Sequence, residues 1–162
     1  MAKHKAFPTH NDLDEGTREE MIALLNQQMA DTFDLFSQTK QAHWNVKGPQ
    51  FYQLHLLYDT LAEGVEDYVD TLAERATALG GMALGTARMA ARNSRLPEYP
   101  DDATGSMESV KALVERFAAL GASTRAAIDE ADEAGDADTA DIFTGLSRDL
   151  DKWLYFLESH LQ

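Results

Sequence analysis

Four prolines, at positions 8, 49, 97 and 100, leave two long uninterrupted stretches in this 162-residue chain, 50–96 and 101–162. Proline inside a helix removes a hydrogen bond and clashes with the preceding turn. Long helices are therefore free to form in these stretches and in the run before Pro49. Apolar residues recur there at intervals of three and four. The first run carries Ile22, Leu25, Met29, Phe33 and Phe36. The last stretch carries Val110, Leu113, Val114, Phe117, Leu120 and Ile128, then Ile142, Leu146, Leu150, Trp153, Leu154, Leu157 and Leu161. This is the buried stripe of an amphipathic helix. Val and Ile together supply only eight residues, while Ala, Leu, Glu and Asp abound, which disfavours sheets.

The pattern predicts an all-α chain with four long helices. The first runs from Thr17 to Val46, opened by Thr17 with Glu20 at a capping-box spacing and stopped by Gly48 and Pro49. The second runs from Phe51 to Leu79 and ends at Gly80 and Gly81. The third starts near Ser106, and the fourth after the "AGDAD" segment. Within the long connection over 82–105, the "LGTARMAARN" segment predicts a short extra helix. About 28 residues make a rod of ~42 Å. Two helical hairpins joined by one long crossover make a ferritin-like four-helix bundle. Residues 1–16 are expected to form a flexible N-terminal tail and 17–162 the bundle.

Lys and Arg number 14 against 28 Asp and Glu, a formal net charge of −14. Such a chain repels nucleic-acid phosphates and attracts cations. With no cysteine, a disulfide framework and a Cys-ligated zinc module are both excluded. No apolar run is long enough to span a membrane, and the first residues contain no apolar signal core. The expectation is a cytoplasmic protein with no membrane partner.

Two of the five histidines stand out by their company. His43 lies about one turn before the end of the first helix, and His55 about one turn after the start of the second. An antiparallel hairpin brings them to the same height. Asp59 follows His55 by four residues, Asp70 follows Asp59 by 11, and Glu74 follows Asp70 by four, so all four share one helix face. Asp59 and Asp70 are ~16 Å apart along that helix, too far to hold one ion. A two-fold partner would resolve this: the second helix packed antiparallel on its copy sets Asp70 and Glu74 of one chain beside His55 and Asp59 of the other. Ala62 and Ala73 would permit the close approach, and Glu63 and Glu66 fall near the same stripe. Imidazole with carboxylate suits a redox-active divalent metal such as iron, and zinc less specifically. Exposed acids at helical spacing also describe a solvated helix face. Spacing alone leaves open a helical scaffold that binds no metal.

The stretch "TKQAHWNVKGPQFYQLHLLYDTLAEGVEDYVDTLAERATALGG", with "DTADIFTGLSRDLDKWLYFLE" near the end, closely resembles the Dps family of mini-ferritins. The spacing H-x11-H-x3-D-x10-D-x3-E is complete here. It resembles that family's ferroxidase centre: His43, His55 and Asp59 from one subunit, Asp70 and Glu74 from its two-fold mate. The resemblance implies a dodecameric cage that oxidises Fe²⁺, usually with hydrogen peroxide and otherwise with oxygen. The ferric product is stored as mineral, protecting against oxidative damage. Zinc is expected to be able to compete for the site. The resemblance also makes Trp44, next to His43, an electron donor beside the iron centre, although core packing explains a tryptophan equally well.

Seven acids and no base lie between Ala126 and Asp141. The family's acid-lined three-fold pore lies near this junction, which singles out Asp136, Asp138 and Asp141 as an iron entrance. Solvated loop acids and helix-start acids explain most of them as well. The alternative function is a nucleoid-associated protein that binds and protects DNA through its N-terminal tail. Lys3 and Lys5 would make those contacts. Against it, Asp12, Asp14 and Glu15 follow closely, so DNA binding is expected to be weak or absent near neutral pH.

Overall fold

A computed structural model describes residues 5–162 of the chain. Five helices follow in order: α1 (Glu15–Asn45), α2 (Phe51–Ala78), α3 (Ala87–Asn93), α4 (Ser106–Glu133) and α5 (Ala137–Glu158). Among the described residues there is no strand, only an isolated bridge between Lys47 and Gly105. The chain is all-α, a four-helix bundle. α1 and α2 form one hairpin and α4 and α5 another. α3 lies in the crossover between them and packs on α1.

The turns follow from glycine. Gly48 has φ 112° between α1 and α2, and Gly135 has φ 80° between α4 and α5. Side chains other than glycine rarely adopt such angles. The helix starts differ from expectation in detail. Asp14, not Thr17, caps α1: its carboxylate accepts from Thr17 N at 3.0 Å and from the Thr17 hydroxyl at 2.8 Å. These hydrogen bonds hold its carboxyl below the usual range. α5 begins at Ala137, inside "AGDAD", because Asp136 caps it. Ahead of α1, Phe7 N donates to Gly80 O at 2.8 Å, and Leu13 packs against the core.

Met21, Leu25, Met29 and Leu35 of α1 point into the core with Leu54, Tyr58, Leu61 and Leu72 of α2. Leu113, Phe117 and Leu120 of α4 meet them, as do Phe143, Leu146, Leu150 and Leu157 of α5. The expected stripe on α1 was off by a fraction of a turn. Leu35 is buried, whereas Phe33 and Phe36 are half-buried and meet edge-on at 6.1 Å.

The crossover is pinned by buried polar groups. Asp31 accepts from Arg95 at its backbone N and at two guanidinium nitrogens, the shortest at 2.6 Å. Arg116 is buried in α4. It donates to Gln38 Oε1 at 3.1 Å, to Ala112 O at 3.0 Å and to the carbonyl of Glu98. A buried guanidinium is tolerated only when its donors are met in this way.

α2 and α5 approach closely at Gly64. A Cβ there would overlap Trp153 Cζ2 and lie 3.0 Å from Cη2. Replacing Gly64 with Ala should therefore destabilise the fold by about 1–3 kcal/mol through overpacking, despite the ~1 kcal/mol that Ala gains in helix propensity. A lowered urea midpoint at unchanged slope is the expected result.

Candidate metal centre

The hairpin brings His43 and His55 together. Their rings stack with centroids 3.8 Å apart and planes 18° from parallel. The pair is bonded reciprocally: His43 Nδ1 to His55 O at 2.8 Å, and His55 Nδ1 to His43 O at 2.9 Å. A carbonyl oxygen only accepts, so each Nδ1 carries a proton, and in the neutral ring each Nε2 keeps its lone pair. Among the described residues neither Nε2 has a hydrogen-bond partner. This is the arrangement of a metal-ligating histidine, whose other ring nitrogen is held by a backbone carbonyl.

Asp59 joins them, with Oδ1 3.8 Å from His43 Nε2. That carboxylate is already engaged by Lys40, whose Nζ donates to Oδ1 at 2.6 Å. The Lys40 hydrogen bond, more than the charge of either histidine, holds the Asp59 carboxyl below its ordinary range. Sequence reasoning passed over Lys40, although its three-residue spacing to His43 puts it on the same face of α1. It places a positive charge against the Asp59 carboxylate.

The other two carboxylates lie further along α2. Asp70 and Glu74 are exposed, with Glu63 and Glu66 between them and Asp59. Among the described residues of one chain, no three His or acidic side chains converge to hold an ion. The structure thus pairs His43 with His55 and sets Asp59 beside His43 without closing a three-donor cluster, and it leaves Asp70 and Glu74 about three turns and more further along α2. Of the two residues expected to permit close approach of a partner helix, Ala62 is buried inside the bundle of its own chain and so is closed to one, whereas Ala73 is half-buried.

Trp44 does not pack in the core of this chain: it is 62% exposed. Phe51, Tyr52 and Leu56 are exposed nearby on the first turns of α2, so an apolar rim borders the His43–His55 pair.

Asp136 is not available to line a pore. It is 2% exposed. Its carboxylate accepts from Arg75 Nη2 at 2.6 Å, from Thr139 N at 3.1 Å and from the Thr139 hydroxyl at 2.6 Å. The fold uses it as a helix cap and ion-pair partner. Asp138 and Asp141 are exposed, Asp138 with Arg75 Nη1 at 3.7 Å. Of the two lysines named for DNA, Lys3 lies outside the described residues. Lys5 is exposed, with Nζ 5.0 Å from the Phe7 ring centroid. No helix among the described residues is long and apolar enough to cross a membrane.

Bundle and crossover together describe a ferritin-like protein, and residues 22–162 match the ferritin-like domain family. The chain is 46% identical over 158 residues to the DNA protection during starvation protein of Agrobacterium fabrum, covering 98% of each. DpsC from Streptomyces coelicolor superposes with a TM-score of 0.93 at 30% identity, covering 100% of this chain and 95% of that one. A Dps homologue from Halobacterium salinarum gives 0.90 at 26% identity, covering 99% and 91%. The chain belongs to the Dps family of ferritin-like proteins.

Lys40 occupies the carboxylate that a metal at the His43–His55 pair would need. Lys40→Gln should raise the affinity for Co²⁺ or Zn²⁺ by about two- to fivefold, the scale of an exposed ion pair. Titration calorimetry on iron-free protein measures this.

Proposed function

We propose that the chain is an iron-detoxifying ferroxidase and iron store. It works as a homododecameric cage, with each oxidation site shared between two subunits. The observation that carries this reading is the His43–His55 pair, locked by backbone carbonyls with both Nε2 lone pairs directed away from them and Asp59 alongside. That is one half of a ligand set. Asp70 and Glu74 are the other half, and a two-fold mate would bring its pair to these histidines. The exposed rim of Trp44, Phe51, Tyr52 and Leu56 supports a covering partner there, since an apolar patch of this kind marks an interface.

Fe²⁺ is the substrate. His43 and His55 bind it as neutral donors, and the carboxylates offset its charge as it becomes Fe³⁺. Two ferrous ions supply the two electrons that reduce one hydrogen peroxide to water, which avoids the one-electron step that releases hydroxyl radical. Oxygen is the alternative oxidant, and zinc would compete for the same donors. Asp138 and Asp141 are the remaining candidates for an acid-lined iron entrance, because rings of carboxylates concentrate cations. Trp44, exposed beside His43, is placed to lose an electron to a stray oxidant.

Anaerobic loading with Fe²⁺ followed by a peroxide pulse should give rapid ferric absorbance in the wild type. A His43→Ala plus Asp70→Ala variant should slow it by at least ~100-fold, the scale of losing key groups from a metal site. Equal rates would remove the site from the reading. The native mass should correspond to twelve chains.

DNA protection is the second reading, favoured by the name of the Agrobacterium relative. The net charge of −14 opposes it, because affinity for DNA rests on cations that displace its counterions. Metal-free protein should leave plasmid migration unchanged near pH 8 in a low-salt gel. Where retardation is seen, deleting residues 1–10 should abolish it and spare iron uptake.

A further inference from the structure

Nine residues after Asp59, and so on the opposite face of α2, Tyr68 meets Asp149 and Trp153 of α5. Tyr68 Oη donates to Asp149 Oδ2 at 2.7 Å. The Tyr68 ring meets Trp153 edge-on, with centroids 6.4 Å apart and planes at 75°. Trp153 also meets Phe117 edge-on at 6.3 Å. Gly64 gives the indole its place against α2. A cleft of about 340 Å³ lined by Asp67, Tyr68, Thr71, Asp149 and Trp153 opens beside the group, so small oxidants have access.

The proton path distinguishes Tyr68 from the other tyrosines. One-electron oxidation turns a phenol O–H into a strong acid, so the electron leaves readily only where a base can take the proton. Tyr58 shares its hydrogen bond with the Ser109 hydroxyl, and Tyr99 donates to the Ala103 carbonyl. Tyr52 and Tyr155 are exposed. Among the described residues, Tyr68 is the tyrosine whose hydroxyl donates to a carboxylate.

We propose that Tyr68, Asp149 and Trp153 form an electron-donor relay that quenches one-electron oxidants. The oxidant in question is the hydroxyl radical formed when peroxide meets a single ferrous ion, so its source rests on the proposed function. The relay is a property of the chain alone. Trp153 gives one electron to the radical, which becomes hydroxide. Tyr68 returns an electron to Trp153 and passes its phenolic proton to Asp149 Oδ2. The sum converts hydroxyl radical, phenol and carboxylate into hydroxide, tyrosyl radical and carboxylic acid. A ferrous ion then reduces the tyrosyl, becoming ferric, and the proton returns from Asp149.

Laser photoionisation of iron-free, full-length protein carrying Trp44→Phe tests the relay, because Trp153 is then the single indole. The expected result is a tryptophanyl absorption that decays by a first-order process, independent of protein concentration, while the tyrosyl band grows at the same rate. Adding Tyr68→Phe, which keeps the ring and its packing, should abolish that growth and lengthen the life of the tryptophanyl radical. Adding Asp149→Asn instead should slow the transfer by about tenfold or more, the scale of one charge-assisted hydrogen bond. Tyrosyl growth that persists in the Tyr68→Phe protein, or a rate indifferent to Asp149→Asn, would overturn the proposal. No iron or peroxide is present, so a failure here leaves the ferroxidase reading intact. Failure of iron oxidation, conversely, leaves the relay measurable.

Discussion

Each imidazole of the His43–His55 pair donates to the backbone carbonyl of the other residue, and the corner of the bundle is organised around that exchange. His43 lies in the last turn of α1, where helix carbonyls lack partners within the helix. His55 supplies one of the missing donors. The same contact fixes the ring tautomers and sets the register of α1 against α2. The chain past it is secured from the other hairpin: Lys47 N donates to Thr104 O, and the Ser106 hydroxyl donates to Lys47 O, both at 2.8 Å. A structural need, capping a helix end, and a chemical need, two oriented lone pairs, are met by one pair of side chains.

Charge near this corner is arranged rather than merely abundant. Lys40 neutralises Asp59 from one side and lies 5.8 Å from the Trp44 ring centroid. Glu63, Glu66, Asp70 and Glu74, which have no ion pair among the described residues, lie along the exposed ridge of α2. One chain therefore presents a nearly balanced end and a strongly anionic end on the same rod.

The helices were legible because their apolar residues repeat at the helical period, and the His-to-acid spacing was legible because it repeats on the same lattice. What stayed hidden depends on partners distant in sequence. Thr17 and Asp14 are both good caps, and only the folded backbone decides between them. Phe33, Leu35 and Phe36 lie on adjoining faces of α1, and which one enters the core depends on where α4 and α3 press. Asp136 looked like any other acid in a run of seven. Its burial follows from Arg75, 61 residues earlier, and from Thr139, which turns the carboxylate inward. Ala62 fell on the acidic stripe by angle, yet the neighbouring helices close over it. Lys40 is legible only by its three-residue spacing to His43, because a lysine is not a metal ligand type and its pairing with Asp59 forms across the hairpin.

The continuity of α2 has a further consequence. Over 28 residues it is an unbroken helix, so its His55 end and its Glu74 end never fold back on each other. On the proposed reading, a newly synthesised subunit is chemically inert: it holds three donors, one of them blocked by a lysine. Reactivity switches on only as neighbours dock, when a shell is forming to receive the insoluble product. On that reading the timing of assembly, rather than a moving part, would confine the insoluble product to the shell.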